Sequence, residues 1–258
     1  MIHSLAVVDP KAKIGENVEI GPFSTIYGDV EIGDGTQIGP NVTIFDGARI
    51  GQNCKIFPGA VISANPQDLK YKGEETCTYI GNNTTIRECV TINKGTSESM
   101  ETRIGDNCLI MAYCHIAHDC QVGDFSIFSN NTTLAGHVII GKHVILSGMT
   151  AFHQFTHVGD YAFIAGGTMV RKDIPPFIKV AREPASFIGL NSIGLERRGF
   201  SSEKIEELQN IYRILYGQNK NNTQAVEAIL EEIKPSPERD AVVNFVKNSE
   251  RGIVKGLK

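Results

Sequence analysis

The sequence predicts an all-β parallel β-helix followed by a small α-helical domain, and three periodic columns predict it. Counting in sixes from Val8 to Val170 lands on a large apolar residue at 25 of 28 positions. With 41% hydrophobic residues, chance would supply about 11. Two residues before each apolar position lies a small or β-branched residue: Ala12, Val18, Ser24, Val30 and Thr36 early, then Cys108, Cys114, Cys120, Ser126 and Thr132. Such residues suit a narrow interior. Three residues after the apolar position come Asn17, Asp29, Gly35, Asn41, Gly47 and Asn53, types that tolerate positive φ and so mark a corner. An α-helix cannot keep a strict period of six, and a flat strand would not carry Gly or Asn every sixth residue. Three six-residue sides close an eighteen-residue coil, with successive coils about 4.8 Å apart.

The elements follow in order. Val8, Ile14, Ile20, Ile26, Ile32, Ile38, Ile44, Ile50, Ile56 and Ile62 form an unbroken first run. Asp68 and Glu74 then occupy apolar positions, so the chain leaves the coil near 64–79. Ile80, Ile86 and Ile92 resume the run in phase, and Glu98 marks a second excursion near 96–103. From Ile104 to Val170 nothing interrupts the pattern. Residues 1–190 are assigned to the β-helix, with Pro175, Pro176 and Pro184 punctuating its end. Residues 191–258 are assigned to helices. Ile205, Leu208, Ile211, Tyr212 and Leu215 share a helical face after Ser201. A second helix is expected over Thr223 to Ile233, stopped by Pro235. Ser236-Pro237-Glu238 reads as the start of a third, with Ser as cap and Pro at the first helical position.

Composition narrows the function. The net charge of −4 gives no reason to expect a nucleic-acid partner. No run of about 18 apolar residues exists, so no membrane span is expected. The N-terminus lacks a basic segment followed by an apolar one, and the six cysteines are expected to be reduced thiols, so a cytoplasmic setting is expected. Cys108, Cys114 and Cys120 recur at six because they occupy the small inner column, where thiols behave as small hydrophobes.

One stretch departs from the bland repeat: His115-Ile116-Ala117-His118-Asp119. In an eighteen-residue coil, Gly136 and Gln154 stack on His118, His137 stacks on Asp119, and His153 stacks on Ala117. This places His118, Asp119, Gly136, His137, His153 and Gln154 at one corner over three coils, with His115 across a short side. Imidazole takes a proton near neutral pH, and an adjacent carboxylate fixes its tautomer. His118 is therefore read as a general base and Asp119 as its orienter. Three histidines on such a scaffold are also a candidate zinc site with an open position, so a metal-binding β-helix stays open on the residues alone.

Several longer motifs carry a resemblance: Asn65-Pro66-Gln67-Asp68-Leu69-Lys70-Tyr71, Ile86-Arg87-Glu88, His115 to Cys120, Leu134-Ala135-Gly136-His137-Val138, Gly148 to Phe155, and Arg197-Arg198-Gly199-Phe200. On these, essentially the full chain resembles the UDP-N-acetylglucosamine O-acyltransferase family of lipid A biosynthesis. The resemblance implies a left-handed coil and a homotrimer with active sites between subunits. It implies transfer of an (R)-3-hydroxyacyl chain from acyl carrier protein to the 3-hydroxyl of UDP-N-acetylglucosamine, with no metal and no cofactor beyond the carrier's phosphopantetheine arm. His118 matches the family's base, Asp119 its partner, and Gly136 the residue whose backbone N–H meets the oxyanion. His115, His137, His153 and Gln154 match substrate contacts, and Asp68 and Lys70 match sugar-site residues. Asn191, Arg197 and Arg198 match positions near the nucleotide or the phosphopantetheine arm. Ile193 stands where the family often has Glu, so no role for that Glu carries over. Gly166 matches the position that stops the acyl tail, and Gly148 lies one coil before it. Neither has a side chain to block a groove, so a long donor is expected.

Elementary chemistry agrees with this reading. A sugar hydroxyl is a poor nucleophile and needs a base within hydrogen-bond reach. Attack on a thioester creates an oxyanion that needs a preorganised donor. Arg197 and Arg198 suit a diphosphate. From residue 171 onward the chain carries 15 Lys+Arg against 12 Asp+Glu, which suits an acidic carrier protein. Other hexapeptide transferases are the nearest alternative. Those of the related N-acyltransferase type carry a uridine-binding domain before the coil, and here the coil begins by Val8.

Overall fold

The computed structural model describes residues 1–217 and 220–256. Most strands are two residues long, such as Lys13–Ile14, Glu19–Ile20 and Thr25–Ile26, and the second residue points inward. Among the described residues they assemble into three sheets of nine, eight and eleven strands, parallel throughout save one antiparallel pair in the last. Within each sheet the hydrogen-bonded neighbour is, through most of the array, the strand three places later in the chain. The result is a left-handed parallel β-helix of triangular section. Thr25 pairs with Val7 and Thr43, so one coil is 18 residues.

The apolar column is continuous through the whole prism. In one sheet Ile26, Ile44, Ile62, Ile92, Ile116, Leu134, Phe152 and Val170 pair rung on rung, all buried. Each such burial stabilises by about 1.5–3 kcal/mol against exposure. The small column serves a second purpose. Its hydroxyls donate to corner carbonyls of the next coil, as Ser24 Oγ does to Gly39 O at 2.8 Å and Ser126 Oγ to Gly141 O at 2.9 Å. Cys120 takes the same place, its Sγ 3.2 Å from Ala135 O. Burial pushes the thiols of Cys108 and Cys114 up to about 11 and that of Cys120 to about 12. These cysteines are core.

Corners fall at the Asn and Gly column, with positive φ at Asn17, Gly35, Asn41, Asn53, Asn83, Asn107 and Asn131. Bulky residues share the same backbone: Phe125, His143 and Tyr161, and likewise Asp119, His137 and Phe155. Phe and Tyr rarely accept that conformation, whereas Asp and His tolerate it more readily. Stacking offsets the cost. The rings of Phe125 and His143 lie 4.7 Å apart and those of His143 and Tyr161 4.9 Å apart, both nearly parallel.

The two excursions are shorter than expected. The strand Cys77–Ile80 pairs along four residues with Glu101–Ile104, which draws part of both segments into a sheet. The first excursion spans 65–76 and the second 94–100. Thr91 consequently pairs with Val61 and His115, at separations of 30 and 24 residues. Both exceed 18 by a multiple of six, so the phase survives.

The coil is closed at its far end. The strand Ile178–Ala181 pairs with Phe163–Ile164 and then antiparallel with Ser186–Leu190. Four helices follow: α1 Ser192–Glu196, α2 Ser202–Gly217, α3 Asn222–Glu232 and α4 Pro237–Asn248. α2 buries Ile205, Leu208, Ile211, Tyr212, Ile214 and Leu215, and the Tyr212 hydroxyl donates to Pro176 O. α3 starts one residue before the expected Thr223, because Asn221 and Gln224 form a capping box. Ser236 caps α4 by accepting from Arg239 N, with Pro237 in the first turn. Residues 191–258 are not wholly helical. Lys255–Gly256 returns as a strand beside Ser186–Phe187. Among the described residues no helix is long and apolar enough to cross a membrane.

Candidate active site

His118 and Asp119 form the corner after the strand His115–Ile116. The next coil locks on top: His137 N donates to His118 O at 3.0 Å. Both His118 and Asp119 are buried. His118 Nδ1 lies 2.7 Å from Asp119 Oδ2. The other lone pairs of that carboxylate are also filled. Thr96 N donates to Oδ1 at 2.9 Å, Thr96 Oγ1 to Oδ2 at 2.7 Å, and Ser99 Oγ to Oδ1. Asp119 N donates to Thr102 Oγ1 at 2.8 Å. Burial alone would raise the Asp119 carboxyl, but the hydrogen bonds from Ser99, His118 and Thr96 outweigh it and hold it at about 2. Asp119 is therefore an anion at any ordinary pH. With Nδ1–H donated to it, His118 carries its free lone pair on Nε2.

Gly136 lies directly over that ring. A Cβ at Gly136 would sit 2.5 Å from His118 Cε1 and 2.6 Å from Nε2, so only glycine admits the imidazole there. The Gly136 amide N–H has no hydrogen-bond partner among the described residues. His137 stands edge-on to His118, ring centres 5.0 Å apart, and stacks flat on Phe155 at 4.4 Å. Its Nε2 is 3.7 Å from both Asp119 Oδ2 and Glu98 Oε2. The first excursion brings Asp68 Oδ2 to 4.0 Å from His118 Nε2. Asp68, Lys70, Glu98, His137, Gln154 and Phe155 line one cleft of about 300 Å³. His115 is half-buried with Nδ1 2.8 Å from Thr91 Oγ1, and burial, aided by the nearby His118, lowers its pKa. At the upper edge His153 Nδ1 lies 3.2 Å from Arg251 Nη2 and 3.1 Å from Gln154 O.

Five expected residues lie elsewhere in this chain. Asn191 is buried and donates to Tyr161 O at 2.9 Å, bracing the corner that holds His143 and Tyr161. Arg197 is exposed, and Arg198 donates to Gly194 O at 3.0 Å. Burial lowers the His143 pKa, and Arg198 lowers it further, which places that guanidinium beside the same corner. Gly148 and Gly166 stack on a third corner, a Cβ at Gly166 falling 3.2 Å from Gly148 O. One protomer thus unites eight of the fourteen residues at the His118 corner, counting His115 and the excursion residues Asp68 and Lys70 but setting His153 apart at its upper edge.

His118, Asp119 and His137 each offer a ligand atom within 4.8 Å of the others. The spacing admits a cation. The donor set fits one poorly, because both oxygens of Asp119 already accept two hydrogen bonds each and His118 Nδ1 is committed to one of them.

Sequence periodicity alone did not single out Thr96, Ser99 and Thr102, which hold the carboxylate, or Glu98, Phe155 and Arg251, which contact the histidines. A signal existed for the first three. The second excursion is polar and directly precedes the His115 coil, and Thr102 lies 17 residues before Asp119, one coil less one residue.

Comparisons with known proteins point one way. The family described as Udp N-acetylglucosamine O-acyltransferase, Domain 2, matches residues 173–254, and bacterial transferase hexapeptide repeats match 11–46 and 101–136. The acyl-[acyl-carrier-protein]--UDP-N-acetylglucosamine O-acyltransferase of Herminiimonas arsenicoxydans is 49% identical, covering 99% of each chain. The solved UDP-N-acetylglucosamine acyltransferase of Bacteroides fragilis superposes with a TM-score of 0.98 at 49% identity, covering 99% of this chain and 100% of that one. The Arabidopsis UDP-N-acetylglucosamine acyltransferase superposes at 0.88 with 35% identity, covering 99% and 100%.

Proposed function

This chain belongs to the UDP-N-acetylglucosamine O-acyltransferase family, and from that premise we propose that it transfers an (R)-3-hydroxyacyl chain from acyl carrier protein to the 3-hydroxyl of UDP-N-acetylglucosamine. This would be the first step of lipid A synthesis, carried out in the cytoplasm. One observation carries the reading: His118 is oriented through Nδ1 by an ionised Asp119, leaving Nε2 beside Gly136, whose amide has no partner among the described residues.

His118 Nε2 accepts the proton of the sugar hydroxyl as its oxygen attacks the thioester carbon. The carbonyl oxygen becomes an oxyanion, and the Gly136 N–H donates to it. Collapse breaks the C–S bond, and the imidazolium returns its proton to the phosphopantetheine thiolate. One ester forms, one thioester is consumed, and no enzyme-bound acyl group is made. No metal or organic cofactor enters. Asp68 and Lys70 bind the sugar from the first excursion. His115, His137, His153 and Gln154 hold substrate around the base.

The remaining residues require a neighbour. Asn191 and Arg198 sit at one corner, with Arg197 exposed next to Arg198 in the chain, and Gly148 and Gly166 sit at another, while the base sits at the third. A homotrimer that sets these corners against the His118 corner of the next subunit completes three equivalent clefts.

The test is product analysis after mixing the protein with UDP-N-acetylglucosamine and a panel of 3-hydroxyacyl carrier proteins. An ester at the sugar 3-hydroxyl is expected, and its loss in His118→Ala with fold retained. No ester from any donor, or near-wild-type turnover in His118→Ala, overturns the reading. An active monomer in sedimentation overturns the trimer.

A further inference from the structure

The second excursion performs no step of the proposed reaction, yet it makes most of the contacts to Asp119. We propose that residues 94–100 are a positioning clamp, in which Ser99 and Thr96 lock the Asp119 carboxylate in the one orientation that presents it to His118 Nδ1. The proposal rests on His118 being the base.

The argument is a count of lone pairs. An ionised carboxylate accepts about four hydrogen bonds. Asp119 receives four: Thr96 N and Ser99 Oγ on Oδ1, Thr96 Oγ1 and His118 Nδ1 on Oδ2, the one Ser99 proton going to the anionic carboxylate at the shorter contact rather than to Glu101 O. Three of the four come from the excursion. Without them the carboxylate plane of a buried Asp could turn about its Cβ–Cγ bond and swing its lone pairs away from His118 Nδ1. With them, only one geometry satisfies all donors.

The clamp is itself held. Lys94 N donates to Ala64 O at 3.0 Å and Gly95 N to Cys77 O at 3.2 Å. Thr76 Oγ1 donates to Gly95 O at 2.6 Å, and Met100 N closes the turn onto Thr96 O at 2.8 Å. Asn93 Nδ2 donates to Asn65 O at 3.1 Å, at the root of the first excursion. The loop that positions Asp119 and the loop that carries Asp68 are thereby stitched into one unit.

Other charges face this pair and bear on any pH effect. Asp68 approaches His118 Nε2, His137 approaches Asp119 Oδ2, Glu98 approaches His137, and His115 lies near His118. None of these charges is removed when Ser99 or Thr96 loses its hydroxyl, although Thr96 Oγ1 also accepts from Glu98 N at 3.3 Å. Removing a donor leaves the carboxylate more basic, so it binds the imidazolium form of His118 more strongly. The acid limb of the kcat–pH profile then moves to higher pH.

The experiment compares wild type, Ser99→Ala, Ser99→Thr and Thr96→Val, with His118→Ala alongside. Ser99→Ala and Thr96→Val are expected to lower kcat about tenfold at unchanged KM, as lost support of a catalytic group does. Their acid limbs should rise by on the order of one pH unit, and Ser99→Thr should restore both. A merely structural loop would lower the melting temperature and leave the limb in place; that result overturns the clamp. If Ser99→Ala and Thr96→Val fail to fold, the histidine ring resonances of folded Ser99→Thr and wild type decide by the titration of His118. Different titration midpoints contradict the restoration. His118→Ala with full turnover instead overturns the base assignment, a separate outcome.

Discussion

Gly136→Ala tests the site with a single methyl group. The added Cβ would lie 2.5 Å from His118 Cε1, and ordinary contact begins near 3.4 Å. The ring must therefore retreat by about 1 Å, the repulsive wall of the contact leaving no alternative. It cannot retreat freely. Nδ1 is tied to Asp119 at 2.7 Å, and His137 stands edge-on 5.0 Å away. An imidazole forced off its rotamer costs about 0.5–1.5 kcal/mol. The backbone is no obstacle, since Gly136 is not among the positive-φ glycines. Replacing Gly by Ala at a compatible position returns about 0.4–1 kcal/mol through the unfolded chain. The two terms nearly cancel, so the melting temperature should stay within about 4 °C of wild type. Turnover has no such compensation. A misplacement of about 1 Å at a reacting group costs about a hundredfold. Initial rates with UDP-N-acetylglucosamine and a 3-hydroxyacyl carrier protein, set beside thermal melts, separate the two effects. Gln154 occupies the same column one coil higher, where a side chain is accepted because no imidazole lies beneath it. Turnover within threefold of wild type in Gly136→Ala would refute the placement of the base.

Two further changes probe charge and length. The Asp119 carboxyl is held at about 2 against the ordinary 3.8. A depressed carboxylate stabilises the fold above its unfolded value, and that contribution fades as pH falls from near 4 toward 2. The gap is equivalent to up to roughly 2 kcal/mol. Asp119→Asn should melt lower at neutral pH, with the difference from wild type closing toward pH 2; coincident melts at pH 7 contradict this. It should also cost less turnover than His118→Ala, since the base remains, and the reverse order would show the roles to be wrong. Gly166→Met should shift preference toward shorter donors with the fold kept, because its Cβ needs only a few tenths of an ångström beside Gly148 O. An unchanged length profile places the end of the groove elsewhere.

The period of six was legible because a coil repeats its environment, so identical positions select identical residue types. The His118 corner was legible for the same reason: spacing along the chain converts directly into stacking, and 118, 136 and 154 fall in one column. What was not legible depends on contacts outside the period. Ser99 and Thr96 reach Asp119 only because their loop folds back over the coil. Phe125 and Tyr161 occupy left-handed corners where Asn, Asp and Gly are the ordinary choice, and stacking on His143 across coils is what admits them. The strand Lys255–Gly256 is too short to carry a pattern and exists because Ser186–Phe187 offers it an edge. Asn191, Arg198 and Gly166 match the family by motif, but Asn191 bonds to Tyr161, Arg198 lies beside His143 and Gly166 stacks on Gly148, all away from the His118 corner, and no single-chain spacing says which subunit they serve.

The eighteen-residue pairing has a consequence for where such a site can sit. The backbone is nearly a one-dimensional crystal: shifted along its axis by one coil, it maps onto itself, left-handed corners included. Every rung offers the same corner, and nothing in the lattice distinguishes Asp119 from His137 or Phe155. The distinction comes from a defect. The two excursions break the translation, and the polar atoms that residues 94–100 add to Asp119 fall on one rung only. The address of the chemistry is thus written in the insertion. Grafting that segment one coil later, onto a rung carrying His and Asp at the matching corner, would be expected to carry the address with it.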